Sequence, residues 1–177
     1  MANTTVFNAY LGNYNHDGEW VDMTLPIEEI ETIADRYTNG GQRDLLISDY
    51  ESSYIPNVLN IDYMSLDEVK ALADTIQELV SQYADDNIVK AIIGAADDYR
   101  SGSETISEFI DSHEFYIYDD CDNMADVAYQ VLEESGGINE LPEWAQPYFD
   151  YEAYGRDLEI EGQFYRGNGG IYVEING

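Results

Sequence analysis

Thirty-seven Asp and Glu residues stand against seven Lys and Arg in a chain of 177 residues, a formal net charge of −30 at pH 7. Like charges at this density repel within the screening length of roughly 8 Å at physiological salt. Each close like-charge pair on a helix costs about 0.2–0.5 kcal/mol. The acids must therefore sit on an outer surface, and an elongated body relieves them better than a ball. Yet the hydrophobic content is 44%, near the globular average of roughly 45–50%, so a core is available and simple disorder is excluded. The same acid excess repels phosphate and excludes nucleic acid and anionic membranes as partners. Basic surfaces and cations remain. No apolar run approaches the roughly 18–20 residues that span a bilayer. Residues 1–14 lack the basic and apolar regions of a signal peptide. A single cysteine, Cys121, permits no internal disulfide and suits a reducing compartment; a cytoplasmic location is expected. Sixteen Tyr beside five Phe and two Trp predict many half-exposed rings.

The pattern predicts an α+β fold in three parts. In residues 1–61, Thr4–Leu11 alternates as a strand, Asp17-Gly18 signals a hairpin, and Glu19–Leu25 is the partner strand. Pro26 opens a helix to about Tyr37, Asn39-Gly-Gly41 stops it, and Asp44–Tyr50 is a third strand. Residues 62–112 read as a helical module. There Ser65-x-x-Glu68 is a capping box opening a helix to Tyr83, followed by helices over Asp85–Tyr99 and Glu104–Ser112. On the first, Leu66, Val69, Leu72, Ala73, Ile76, Leu79, Val80 and Tyr83 share one face, with Asp67, Asp74 and Glu78 opposite. Residues 113–177 read as an α+β module: a strand over Glu114–Tyr118, a helix over Asp122–Ser135, a short helix after Pro142 and another over Tyr151–Asp157. A hairpin of Glu159–Tyr165 with Ile171–Ile175 completes it.

All three parts are acidic, and residues 106–177 alone hold half the net charge. Duplex DNA carries about one charge per 1.7 Å of axis, so a charge of −30 corresponds to roughly 50 Å of duplex. On the helix over Asp122–Ser135, Asp122, Asp126 and Glu133 share a face, about 6 and 10 Å apart along the axis, a spacing similar to that of phosphates along a strand. Candidate surface carboxylates are Asp67, Asp74, Glu78, Asp85, Asp86, Asp97, Asp98, Glu108, Asp111, Asp119, Asp120, Asp122, Asp126 and Glu133. An anionic rod of this density is a decoy for a DNA-binding groove, with fast, salt-sensitive encounter.

The residues offer little for catalysis. Acids flanking Cys121 raise a thiol pKa that a nucleophile needs lowered, so a dyad with His113 is not expected. Two His and one Cys cannot supply a common zinc set. Asp119-Asp-Cys-Asp-Asn123 fails the EF-hand pattern, because Ala125 stands where the loop needs Gly and Met124 where it needs a ligand. Gly167-Asn-Gly-Gly170 lacks the context and lysine of a phosphate loop. No enzyme activity, metal or cofactor is expected. Arg156 is read as neutralising Asp157 or Asp150, and Cys121 and Met124 as core residues. The alternatives are an acidic decoy for another basic DNA-binding protein, a cation-binding protein and a salt-adapted acidic protein.

Tyr118-Asp-Asp-Cys-Asp-Asn-Met-Ala-Asp-Val-Ala128, Leu132-Glu-Glu-Ser-Gly-Gly137, Leu141-Pro142 and Tyr151-Glu-Ala-Tyr-Gly-Arg-Asp-Leu158 together resemble the ArdA antirestriction proteins of mobile genetic elements. Ala9-Tyr-Leu-Gly-Asn-Tyr14 fits that family's opening strand. The resemblance implies an elongated DNA mimic that inhibits type I restriction–modification enzymes at their methyltransferase core and specificity subunit. It also implies a homodimer through the C-terminal part, which would present twice the charge. The segment matching the family's antirestriction motif, 131–145, then lies in the dimer region. There Leu132, Ile138, Leu141, Trp144 and Tyr148 are the candidate interface residues, and Glu133, Glu134, Glu140 and Glu143 face outward.

Overall fold

A computed structural model describes residues 5–15, 17–38, 45–56 and 59–176. Its N-terminal part is built on an antiparallel hairpin of β1 (Asn8–Gly12) and β2 (Gly18–Asp22). Gly18 is not at the centre of the turn, as the Asp-Gly pair predicted. It pairs with Gly12 at the end of the ladder, and the Asn13 amide donates to the Asp17 carbonyl at 3.0 Å to close a longer loop. A Cβ on Gly18 would lie 2.6 Å from the Leu11 carbonyl oxygen, so close cross-strand approach is what requires glycine here. Helix α1 (Ile27–Ala34) follows Pro26, with Glu28 and Glu29 in its first turn. Strand β3 (Leu46–Glu51) pairs with the other side of β1, giving the order β2-β1-β3. The predicted Asn39-Gly-Gly stop and the start of the third strand at Asp44 lie outside the described residues.

The helical module forms as its caps dictate. Ser65 and Glu68 make the reciprocal capping box of α2 (Leu66–Gln82), whose predicted apolar stripe is buried from Leu66 to Leu79 and half-buried at Val80 and Tyr83. Asp85 caps α3 (Asp86–Tyr99) by accepting from the Asn87 amide. Thr105 and Glu108 form a second capping box at α4 (Ile106–Ser112).

Strand β4 (Glu114–Tyr118) keeps its predicted bounds. Helix α5 (Met124–Ser135) is capped by Asn123 and ends at left-handed Gly136. A 3-10 turn, Gly137–Glu140, follows α5, and a second, Gln146–Tyr148, stands where a short helix after Pro142 was expected. Helix α6 (Tyr151–Glu161) runs one turn past its predicted end and takes residues assigned to a strand. The terminal hairpin is therefore shorter, β5 (Phe164–Arg166) with β6 (Tyr172–Asn176), and β6 is the central strand in the order β4-β6-β5.

One continuous core joins these parts. Phe7, Leu11 and Ile30 from the first part, Leu72, Ile76, Ile92 and Ile93 from the helices, and Ile171, Val173 and Ile175 beside or on β6 belong to a single buried cluster. The tip of the terminal hairpin presses on α3, so a Cβ on Gly167 would lie 2.7 Å from that of Ala91. On the other face of the C-terminal sheet, Tyr118, Cys121, Val127 and Tyr172 form a second, smaller cluster with Met124, Val131 and Phe164.

Candidate functional site

Burying a carboxylate without a partner is costly, and the fold avoids it. Of the candidate carboxylates, Asp74, Asp97 and Asp126 are half-buried and all the others are exposed. The structure divides them by what their oxygens do.

One group is tied to the protein's own backbone amides, a hydroxyl or cations. Asp85 and Glu108 serve the N-termini of α3 and α4, where the positive end of the helix favours an anion. The Thr105 amide, and then its hydroxyl, hold the Glu108 carboxyl below the usual carboxylate range. Asp126 accepts from the amides of Asp122 at 2.8 Å and Asn123 at 3.3 Å. Asp74 pairs with Lys70, and Asp97 pairs with Arg100 at 3.1 Å. Asp86 accepts from the Tyr54 hydroxyl at 3.2 Å. Burial first, and then that carboxylate, push the Tyr54 hydroxyl up.

The second group comprises Asp67 and Glu78 on α2, Asp98 on α3, Asp111 on α4, Asp119, Asp120 and Asp122 between β4 and α5, and Glu133 and Glu134 on α5. Glu140 and Glu143 follow it. All are exposed. Among the described residues the third ion pair is Arg36 with Glu19, so internal pairing leaves most of the acid charge to solvent. Arg156 is exposed and makes none of these pairs with Asp157 or Asp150. It does not neutralise them by a direct bridge.

Asp120 sits at the turn between β4 and α5. It is the non-glycine residue with left-handed backbone among those described, at φ 53°, a conformation Asp tolerates better than most residues. This turn lets the Cys121 amide donate to the Gly170 carbonyl at 2.9 Å and splays Asp119, Asp120 and Asp122 outward. Cys121 itself is buried. Burial first, then Asp126, Asp119, Asp120 and Asp122, push its thiol up to about 11. His113 instead sets Nδ1 2.9 Å from both the Phe109 carbonyl oxygen, an acceptor only, and the Ser112 hydroxyl, while Cys121 meets Asp119 and Gln130. The structure does not bring the two together. Among the described residues no group of three or more His, Cys, Asp or Glu is arranged to hold a metal ion. No helix among them is long and apolar enough to cross a membrane.

The five candidate interface residues fall into three environments. Trp144 and Tyr148 are 76% and 84% exposed. Leu132 and Leu141 are half-buried, and Ile138 is buried in its own chain. Ile160 on α6, which the sequence reading placed in a strand, is 81% exposed and belongs with Trp144 and Tyr148 as uncovered apolar surface.

Sequence reasoning also missed a set of acids on the N-terminal sheet. Asp22, Asp49 and Glu51 are exposed on the side opposite Ala9, Leu11, Val21 and Ile47. The signal was the alternation of β1 to β3, whose polar positions share one face.

The profile of a protein family described as Antirestriction protein (ArdA) matches residues 6–173. No curated protein matches the chain.

Proposed function

Because the chain belongs to the ArdA antirestriction family, an inhibitor family directed at type I restriction enzymes, we propose that it occupies the DNA-binding groove of the methyltransferase core and specificity subunit as a substitute for B-form duplex. No step is catalytic, and the inhibitor and its target meet in the cytoplasm. The observation that carries this reading is the fate of the acids: none of the candidate carboxylates is buried, and few are paired with a cation. A fold that needed its acids for stability would pair them, because unpaired like charges oppose compaction. The exposed Trp144 and Tyr148 support a homodimer whose two arms present a longer anionic track.

The test is competition. A type I methyltransferase core bound to labelled duplex is challenged with the protein. Displacement without cleavage or methylation of the duplex, weakening steeply as salt rises, is the expected result. Reversing several carboxylates together, such as Glu133, Glu134, Glu140 and Glu143 to Lys, weakens displacement far more than any one reversal, since exposed pairs are each worth about 0.2–1 kcal/mol. Failure to displace duplex at low salt overturns the reading.

A further inference from the structure

The ladder of the N-terminal sheet sets two rows of side chains on its solvent face. Asp22, Asn8 and Glu51 lie opposite one another in one row, and Trp20, Tyr10 and Asp49 in the next. The register shift after Tyr10 keeps Asp49 and Glu51 on this side while Ile47 turns to the core. Trp20 is 45% exposed and meets Tyr10 edge to face at 5.7 Å, which leaves ring surface open to solvent. Two carboxylates are held in place from below: Asp22 accepts from the Thr24 amide and hydroxyl through one oxygen, and Asp49 accepts from the Tyr50 amide. No residue of β1, β2 or β3 is basic.

We propose that this face is a docking platform for arginine side chains of the basic partner, and the proposal rests on the reading that the protein occupies a basic groove. A polyanion decoy needs only carboxylates. An uncovered Trp–Tyr pair flanked by three acids adds a preference. The guanidinium is planar, weakly hydrated and able to stack on a ring while its N–H groups reach carboxylates, whereas lysine is a compact hydrated charge. Neighbouring strands lie about 4.8 Å apart and alternate residues of a strand about 7 Å apart, so an arginine over Trp20 lies one residue pair, about 7 Å, from Asp22, and one over Tyr10 lies a single strand spacing from Asp49. A second copy of this chain is the wrong occupant, because it would set acids against acids.

The fluorescence test uses Trp144→Phe, first matched in sedimentation to the unaltered chain, which leaves Trp20 as the indole reporter; the displacement arms use the unaltered chain as parent. Arginine and lysine homopeptides of equal length are titrated near physiological salt. The arginine peptide shifts Trp20 emission and binds roughly 2- to 30-fold more tightly than the lysine peptide. Trp20→Thr, read by a labelled peptide, abolishes that preference while keeping the charge-driven binding. Equal affinity for the two peptides, or a preference that survives Trp20→Thr, overturns the proposal. So does a sedimentation change showing that Trp20→Thr dissociates a dimer. Duplex displacement run in parallel separates the two ideas. If the parent protein fails to displace duplex, the groove reading fails. If the parent and Trp20→Thr displace equally well, the platform alone fails.

Discussion

The two sheets of this protein have the same size and the same antiparallel sense, yet they end in opposite situations. The C-terminal sheet is covered by the main core on one side and, over part of its width, by a smaller layer on the other, where Tyr116 stays 50% exposed. Ile117, Val173 and Ile175 face the main core, while Tyr118, Tyr172 and Phe164 face the small cluster under α5. The N-terminal sheet is covered on one side only, and its other face carries Tyr10, Trp20 and three acids. Rings that a second layer can reach become core, and rings that none reaches stay available to a partner. The layer on the C-terminal sheet depends on a contact no larger residue would allow: α6 crosses α5 at Gly155, where an added Cβ would overlap the Met124 carbonyl.

The largest expected effect follows from that crossing. Gly155→Ala forces backbone apart and lowers stability by roughly 1–3 kcal/mol, read as a fall in melting temperature of about 2–4 °C per kcal/mol. An unchanged melting temperature would mean that the covering layer is not clamped there. Next is Tyr118→Phe. The Tyr118 hydroxyl donates to Glu174 at 2.7 Å, and its loss from the covered face costs about 1–2 kcal/mol in urea unfolding. Smaller still is the contrast between Asp126→Ala and Asp122→Ala. Each removes one charge, but only Asp126 receives amide donors, so it alone loses about 0.5–1 kcal/mol, while Asp122, left to solvent, dents inhibition at least as much. The Cys121 thiol does not ionise at neutral pH, so its titration has no effect there. Its raised pKa leaves stability intact below the ordinary thiol range, and stability then falls as pH rises from there toward about 11; Cys121→Ala flattens that alkaline limb in pH-dependent unfolding. The smallest effect belongs to the uncovered sheet: Trp20→Thr stays within about 0.5 kcal/mol of the parent, and a larger loss would show that the ring is structural.

Local signals made much of the fold legible. Ser65 and Glu68, the stripe from Leu66 to Leu79, and the alternation of Glu114–Tyr118 each act within a few residues, and each formed as read. The misses lie where local chemistry is ambiguous or overruled. Residues 159–163 alternate like a strand, but α6 continues through Glu159 and Ile160 and leaves Ile160 in solvent. The Asp17-Gly18 pair matches a tight turn, but Gly18 serves a close strand crossing instead. Among the acids, sequence identified a surface and could not separate those that cap helices from those left to a partner, because that division depends on which amides lie nearby. The central position of β6 and the bare face of the first sheet depend on contacts between distant segments, which no local pattern reports.

That central strand also sets an order of events during synthesis. Val173 pairs with Ile117, so β4 leaves the ribosome several seconds before its neighbour at about 5–20 residues per second. Until then both edges of β4 are open and one wall of the main core is missing. During that interval the dense negative charge acts as a guard, holding half-made chains apart until the keystone arrives.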